Sequence, residues 1–524
     1  MFSGTGFARA KETLTEAVLT PIRALRWRYV PLLLIYFAYG ISGITGIAET
    51  FWIKKELDLS PEDLASLAFW ASLPWTIKMV FGQLVDSFPI LGSPRRSYVF
   101  IAAVLMAGSY LLMAGLAGKW PPVVTFAPPI ALYYAACILS AIAFVLQDVV
   151  ADGMTVEVVE RQKVVAENGK DVLRDVPPLE LEGELKMVQL LGRLSLALGA
   201  FLVAGLSGWL ASVWSYEHVF LLGLIIPVVS IVGILTVKLD TPPRMPANWL
   251  VLGGGLIYAL FVCGMGLSHV LYGKEIVFCV SLAIVIYLFR SVIHDLSPGT
   301  IKKIIAAGIV IFVFRAMPSS GAGAGWWQID VLGFDEAFMG VLQQISAGLG
   351  IMGIWLGAKW IKEKSVSSTL GFLTVIGFVL ALPTIGMFYG LHVWTMEHFG
   401  FGARTIAVID VAASSPFSQL SLIPMLGLVA IYAPRGNAAT WFALAASFMN
   451  LALSAGQLFT RYLNQIWVVS KGRIDATGTV IAQADYSNLG ILMIVANVIG
   501  LVLPLVVIWM FRESVTAKQQ TPSA

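Results

Sequence analysis

Charged side chains set inside apolar runs are the residues of this chain that can do chemistry. Asp148 and Asp152 stand four apart in QDVVADGMTVE, so they share one face of a helix. Further on, Lys186, Gln189 and Arg193 fall three and four apart on one stripe of the next helix. Antiparallel packing would let the two stripes meet, either as a static clamp or as a coupling pair. Asp410 is a single acid in an apolar stretch. It reads as a proton-exchanging carboxyl, since a proton relieves the cost of a buried charge, or as the cap of a helix break near Ser414, Ser415 and Pro416. Lys78 lies more than two turns from the nearest loop and meets either an anionic ligand or helix carbonyls. Arg315, just before Met317–Pro318, offers a fork that grips a carboxylate, in a ligand or in Asp410. Glu49 sits near the end of its apolar run, within reach of water. Charges in membrane spans cost ~2.5–3.5 kcal/mol each on insertion, so they face a cavity or a partner.

A second constellation is the stretch Leu73–Ser97, LPWTIKMVFGQLVDSFPILGSPRRS. Gly82 and Asp86 share a helix face; Gly92 then opens a turn that carries Arg95 and Arg96. A carboxylate at a helix end, followed by a tight turn and two arginines, can act as a charge latch. The plain alternative is a turn with ordinary basic residues at a membrane surface.

These side chains need helices to hold them at depth. Of 524 residues, 58% are hydrophobic and 12% charged, with mean hydropathy +0.83, against about 25% charged in soluble domains. Apolar segments of about 20 residues recur, each long enough to span a bilayer. Strand alternation is absent, which disfavours a barrel. The chain therefore reads as an all-α integral membrane protein. The spans are expected at 29–53, 64–86, 97–118, 128–152, 186–212, 218–239, 249–271, 275–295, 301–325, 335–361, 366–392, 403–432, 437–467 and 486–511, fourteen in all.

Basic residues order the loops. With the N-terminus inside, one face collects Arg23, Arg26, Arg28, Arg95, Arg96, Arg161, Lys163, Lys170, Arg174, Lys186, Lys238, Arg244, Arg290, Lys302, Lys303, Lys359, Lys362, Lys364, Arg435, Arg512 and Lys518. The other holds Lys54, Lys55, Lys119, Lys274, Arg404, Lys471 and Arg473. The bias predicts both termini in the cytoplasm. Residues 1–28 form a cytoplasmic segment with a short surface helix, Thr155–Leu185 a charged inner loop, and 512–524 a polar tail.

Two stretches repeat. Tyr36–Gly82 and Phe312–Gly357 each run from a glycine-rich helix through a turn, LDLSPED or LGFDEAF, into a second helix. Asp58–Ser60 and Gly333–Asp335 stand where an N-cap should start that second helix. The chain thus divides into a six-helix half at 29–240, two inserted helices at 241–300 and a second six-helix half at 301–511.

The glycine, aspartate, glycine and basic pair of Leu73–Ser97 resemble the loop signature of the major facilitator superfamily. The longer SFPILGSPRR turn is similar to that of its folate–biopterin transporter branch. Gln147–Glu157, Phe314–Phe334 (FRAMPSSGAGAGWWQIDVLGF) and Ile409–Leu444 resemble three further stretches of that family. The chain departs from the family at Trp326–Trp327–Gln328, on a helix expected to line the cavity, and at Asn437, where the family has an acid. The resemblance implies a two-half bundle and a secondary carrier of a pterin-like or other small organic anion, driven by protons. It also implies that helices one, four, nine and twelve line the path; Glu49, Asp148, Asp152, Arg315 and Asp410 fall on these four. Trp52, Trp326 and Trp327 would then stack a flat ring or form an aromatic belt. Asn450, Gln457 and Asn464 share a face, as polar bonds between helices would require.

Other classes find little support. Cys137, Cys263 and Cys279 lie in apolar runs and make neither a disulfide framework nor a metal cluster. No G-x-x-x-x-G-K-[ST] loop occurs, which disfavours an ATP-driven pump. No nucleophile–base set is evident, and five scattered histidines add none. No cofactor or nucleic-acid partner is expected; the expected partners are a small solute, protons and lipid. The competing reading is a non-transporting membrane factor for pigment or assembly, which the abundant tryptophan would fit.

Overall fold

The computed structural model describes residues 22–90, 92–93, 95–160, 162–167, 170–237, 246–268, 270–294, 296–418, 420–432, 438–474 and 480–512. The surface helix expected before residue 22, Asn437 and the tail beyond Arg512 lie outside them. Apolar composition makes helices here, because a backbone in lipid must satisfy its own hydrogen bonds. In order these are α1 (Trp27–Glu56), α2 (Pro61–Thr76), α3 (Lys78–Ser87), α4 (Arg96–Ala117), α5 (Pro129–Glu157), α6 (Pro178–Val213) and α7 (Tyr216–Thr236). There follow α8 (Trp249–Leu267), α9 (Gly273–Ile293), α10 (Pro298–Arg315), α11 (Ala322–Asp330), α12 (Glu336–Glu363), α13 (Val366–Phe388), α14 (Ala403–Val429), α15 (Ala438–Ile466) and α16 (Leu489–Met510).

Eleven of the described helices are long and apolar enough to cross a membrane, and a twelfth span is the pair α2–α3, bent by 41°. The bend follows Pro74 and falls at Ile77, whose φ is −106° and ψ 23°. The remaining two expected spans correspond to α12 and to α10–α11. The reading of 301–325 as one span needs correction: the helix stops at Arg315 and resumes at Ala322. Pro318 has no N–H to continue it, and Gly321 takes φ +71°, a left-handed value that glycine tolerates. Two short hairpins stand outside the helices, β1 (Gln162–Glu167) with β2 (Lys170–Asp175), and β3 (Arg473–Ile474) with β4 (Val480–Ala482). The first lies within the expected charged loop.

The repeated turns cap their helices in both places. The Ser60 hydroxyl accepts from the Asp63 N–H at 3.1 Å, and Asp63 Oδ2 accepts from the Ser60 N–H at 2.9 Å, closing a capping box at the start of α2. Asp335 Oδ1 accepts from the Phe338 N–H at 2.8 Å at the start of α12.

Two cores result. Leu32, Ile35, Met106, Val150 and Ile226 pack within the first half, and Val310, Leu370, Met425, Trp441 and Ile508 within the second. The halves meet along two seams, α2 against α15 and α6 against α12. At the second seam a Cβ on Gly340 would stand 2.8 Å from the Gly208 Cα, so the backbones approach only because both residues are glycine. The inserted hairpin α8–α9 lies over the first seam: α8 packs on α3 and α9 on α15. Phe261, Met265 and Phe278 of the hairpin join Phe69 and Leu73 of α2 and Leu458 of α15 in one cluster.

Candidate functional site

The bend between α2 and α3 delivers Lys78 to the middle of the first half. Its ammonium lies 2.5 Å from Asp148 Oδ2 and 2.6 Å from Asp152 Oδ2, bridging the two acids on one face of α5. The Tyr36 hydroxyl of α1 donates to Asp152 Oδ1 at 3.3 Å. Two carboxylates and one ammonium leave the group one negative charge in excess. The Asp152 side chain is 54% exposed against 19% for Asp148, so Asp152 is the accessible acid.

The expected partner of these acids, Arg193, is not the one found. No carboxylate of the described residues forms an ion pair with Arg193. The reason is packing: α6 lies mainly against α1 and α12 rather than α5. The Tyr36 ring also fills the space beside α6, where a Cβ on Gly192 would meet it at 2.8 Å.

The latch constellation closes within the first half. Arg95 Nη1 lies 2.8 Å from Asp86 Oδ1, while its Nε and Nη2 donate to Glu157 Oε1 at 2.9 and 2.6 Å. The guanidinium lies over Gly153, where a Cβ would stand 2.7 Å from its Cζ. Gly92 turns the chain at φ +77°, and Gly82 faces α5 at Val149. Arg96 donates to the Val237 carbonyl at 3.3 Å instead of joining the latch. Glu157, at the end of the quoted QDVVADGMTVE, is not among the partners expected from the sequence; its place four residues beyond Gly153, on one helix face, is the signal that could have found it.

In the second half Arg315 and Asp410 do not pair. Arg315 Nε donates to the Met449 carbonyl at 3.1 Å. Asp410 accepts from the Thr384 hydroxyl at 2.8 Å, and its buried Oδ1 has no partner among the described residues. Asp410 is thus not the cap of the helix break; the Ser414 and Ser415 hydroxyls donate to Val411 O. Glu49 is half-buried and accepts from Tyr133 at 2.9 Å. Trp326 and Trp327 are 1% and 3% exposed, so they belong to the core rather than to an aromatic belt or a stacking surface. Asn450 donates to Trp75 O at 3.3 Å across the first seam. Among the described residues no group of three or more His, Cys, Asp or Glu is placed to hold a metal.

One end of the bundle is sealed by contacts between the halves. Lys54 pairs with Asp330, and Lys55 with Glu336 at 3.1 Å. Tyr216 donates to Glu336 at 2.8 Å, and within the second half Tyr486 steadies Asp330 with a bond of 2.5 Å. Lys471 reaches from the second half into the C-terminus of α1. There its buried ammonium donates to the carbonyls of Ile53 at 3.0 Å, of Lys54 at 2.9 Å and of Leu57, under the Trp326 ring. Cations at a helix C-terminus also meet the negative end of its dipole. Along the first seam, Arg461 of α15 holds Glu62 of α2 at 3.1 Å and Glu275 of α9 at 3.4 Å. Among the described residues no ion pair joins the halves at the opposite end, where the latch lies. In the sequence Lys54, Lys55 and Lys471 carry no signal beyond sparse charge between spans.

Comparison with known proteins agrees with this architecture. The model of the BT1 family matches residues 39–171 and 182–523. The folate-biopterin transporter of Synechocystis sp. is 24% identical over 505 residues, covering 94% of this chain and 83% of its own. The probable folate-biopterin transporter 4 of Arabidopsis thaliana is 23% identical, covering 84% of this chain and 89% of its own. Among solved structures, a peptide transporter POT in complex with sulfate superposes with a TM-score of 0.62 at 14% identity, covering 93% of this chain and 95% of its own. A POT family transporter in complex with a thioalcohol-conjugated peptide gives 0.63 at 12% identity, covering 95% and 100%.

Proposed function

The chain belongs to the BT1 family, and from that premise we propose that it is a proton-coupled carrier of a pterin- or folate-like compound, or of another small organic anion, working by alternating access. The coarser statement is established by the family: this is a multi-pass membrane transporter of a small molecule, and the family is not an enzyme class. The observation that carries the finer reading is the one-sided seal. Ion pairs and a buried lysine join the halves at one end, and the charged group of α3 and α5 lies between that seal and the other end.

In this reading residues 29–240 and 301–511 rock against each other, with 241–300 as an added hairpin. The bias of basic residues supports both termini in the cytoplasm, with an inner or plasma membrane as the setting and the sealed end outside. The structure is then the inward-facing state. Lys78, Asp148 and Asp152 form the polar contact in the first half, with Arg193 on the facing wall. Arg315 is the anion contact in the second half; its fork has one backbone bond and further N–H groups to offer. Asp410, with an unmet oxygen, and Glu49, whose neighbour is a tyrosine, are the carboxyls suited to carry a proton. Asp86, Arg95 and Arg96 brace the inner ends of the first half.

Proteoliposomes containing the purified chain test this. Labelled biopterin or folate should enter saturably and accumulate under an imposed pH gradient. Uptake without accumulation would remove proton coupling. Absence of uptake for these compounds and for unrelated organic anions would favour the non-transporting membrane factor.

A further inference from the structure

Between α1 and α5 runs a narrow recess lined by Ile35, Tyr36, Tyr39, Phe144, Gln147 and Asp148. Its walls are aromatic: Tyr39 lies 5.2 Å from Phe144 and stacks on Trp75 at 6.3 Å, between ring centroids. Gln147 is 2% exposed, and its Nε2 has no partner among the described residues. The other end of that amide meets Ser230, whose hydroxyl lies 3.1 Å from Oε1 and 3.4 Å from the Ile226 carbonyl. A buried amide N–H without an acceptor costs ~1–3 kcal/mol, so a native site that keeps one calls for something to fill it. Asp148 gives Oδ2 to Lys78, and its Oδ1 takes no hydrogen bond from a described residue. The recess holds about 10 Å³, room for one water.

We propose that Gln147 and Asp148 form a recognition edge for the 2-amino-4-oxopyrimidine face of a pterin-type ring. This rests on the pterin reading above. Such an edge presents a carbonyl acceptor beside two N–H donors. Gln147 Nε2 donates to the 4-oxo group, and the carboxylate oxygens of Asp148 and the exposed Asp152 accept from N3–H and the 2-amino group. The ring edge displaces one water from the recess and restores its hydrogen bonds, which conserves their free energy. The ring body stays in the wider path, against Tyr36 and Tyr39.

The test is equilibrium binding to the full chain in nanodiscs, read by quenching of tryptophan fluorescence. The probes are biopterin and its 4-amino analogue. The wild-type chain should prefer biopterin, and Gln147→Leu should weaken biopterin about tenfold and erase the preference. Ser230→Ala, which removes the anchor but not the donor, should keep the preference. Equal preference in wild type and Gln147→Leu would overturn the proposal and leave the pterin reading intact. Loss of preference in Ser230→Ala at full Gln147→Leu size would also overturn it, assigning Gln147 a purely structural role. A wild-type chain that binds neither probe yet transports another organic anion would reject the pterin reading and this edge with it.

Discussion

Removing the Lys471 ammonium should unseal the bundle. In Lys471→Met the carbonyls of Ile53, Lys54 and Leu57 at the end of α1 lose their donor, and the second half loses its deepest reach into the first. A hydrogen bond to a charged group is worth ~1.5–3 kcal/mol, and the helix C-terminus adds ~0.3–1 kcal/mol. The three bonds share one ammonium, and water reaches the carbonyls once the seal parts, so the sum is not additive. A net ~3 kcal/mol is the working figure, on the order of a 100-fold rise in the unsealed population. The reporter is a cysteine at Leu59, 4% exposed beneath the seal, with Cys137, Cys263 and Cys279 replaced. Alkylation by a membrane-impermeant maleimide from the sealed side reads the unsealed fraction. The rate should rise on the order of 100-fold in Lys471→Met and much less in Lys471→Arg, which retains donors. An unchanged rate in Lys471→Met, with helical content and melting temperature preserved, would refute the argument that this ammonium holds the halves together.

The other perturbations are simpler. Glu157→Gln should lower expression and melting temperature more than Asp86→Asn, because Arg95 gives Glu157 two bonds in a buried setting, where an orphaned charge costs ~3–5 kcal/mol; equal losses in a thermal-shift assay would contradict this. Asp86→Asn should slow transport turnover while leaving binding within severalfold, and full turnover would remove its bracing role. Lys78→Met should destabilise strongly, with partial rescue by a second change of Asp148→Asn, whereas Arg193→Gln and Asp148→Asn should add independently; a double-mutant cycle on melting temperature reads both. Gly340→Val should force the α6–α12 seam apart and raise alkylation of the Leu59 reporter, since the new Cβ would stand 2.8 Å from Gly208 Cα.

Hydropathy located the eleven long apolar helices and the bent pair among the described residues, because a bilayer sets both the length and the polarity of what crosses it. The matched turns were equally legible: Ser60 and Asp335 cap by local chemistry that a few residues determine. The Asp86–Arg95 contact was visible for the same reason, as a helix end and its adjoining turn. What escaped depends on rotation and tilt between helices. Spacing showed that Asp148 and Asp152 share a face, but not that a bend at Ile77 turns Lys78, rather than Arg193, toward it. Lys471 was harder still, since its acceptors are backbone carbonyls and carry no side-chain signal. The break in the expected span 301–325 was present in Pro318 and Gly321, yet apolar residues on both sides disguised it as one helix.

The inserted hairpin is leashed unequally. Twelve residues, 237–248, separate α7 from α8, whereas only four, 294–297, separate α9 from α10. Extended chain covers about 3.4 Å per residue, so the first leash reaches roughly 40 Å and the second roughly 14 Å. In the proposed rocking motion, a hairpin so tethered would ride with the second half as its cargo. If the halves rock as proposed, its grip on α15, through Glu275 and Arg461, should stay fixed. Under that motion the faces it lays on α2 and α3 would become a bearing, with Phe69 and Leu73 as the sliding surface and the Glu62–Arg461 pair as the bond to be surrendered.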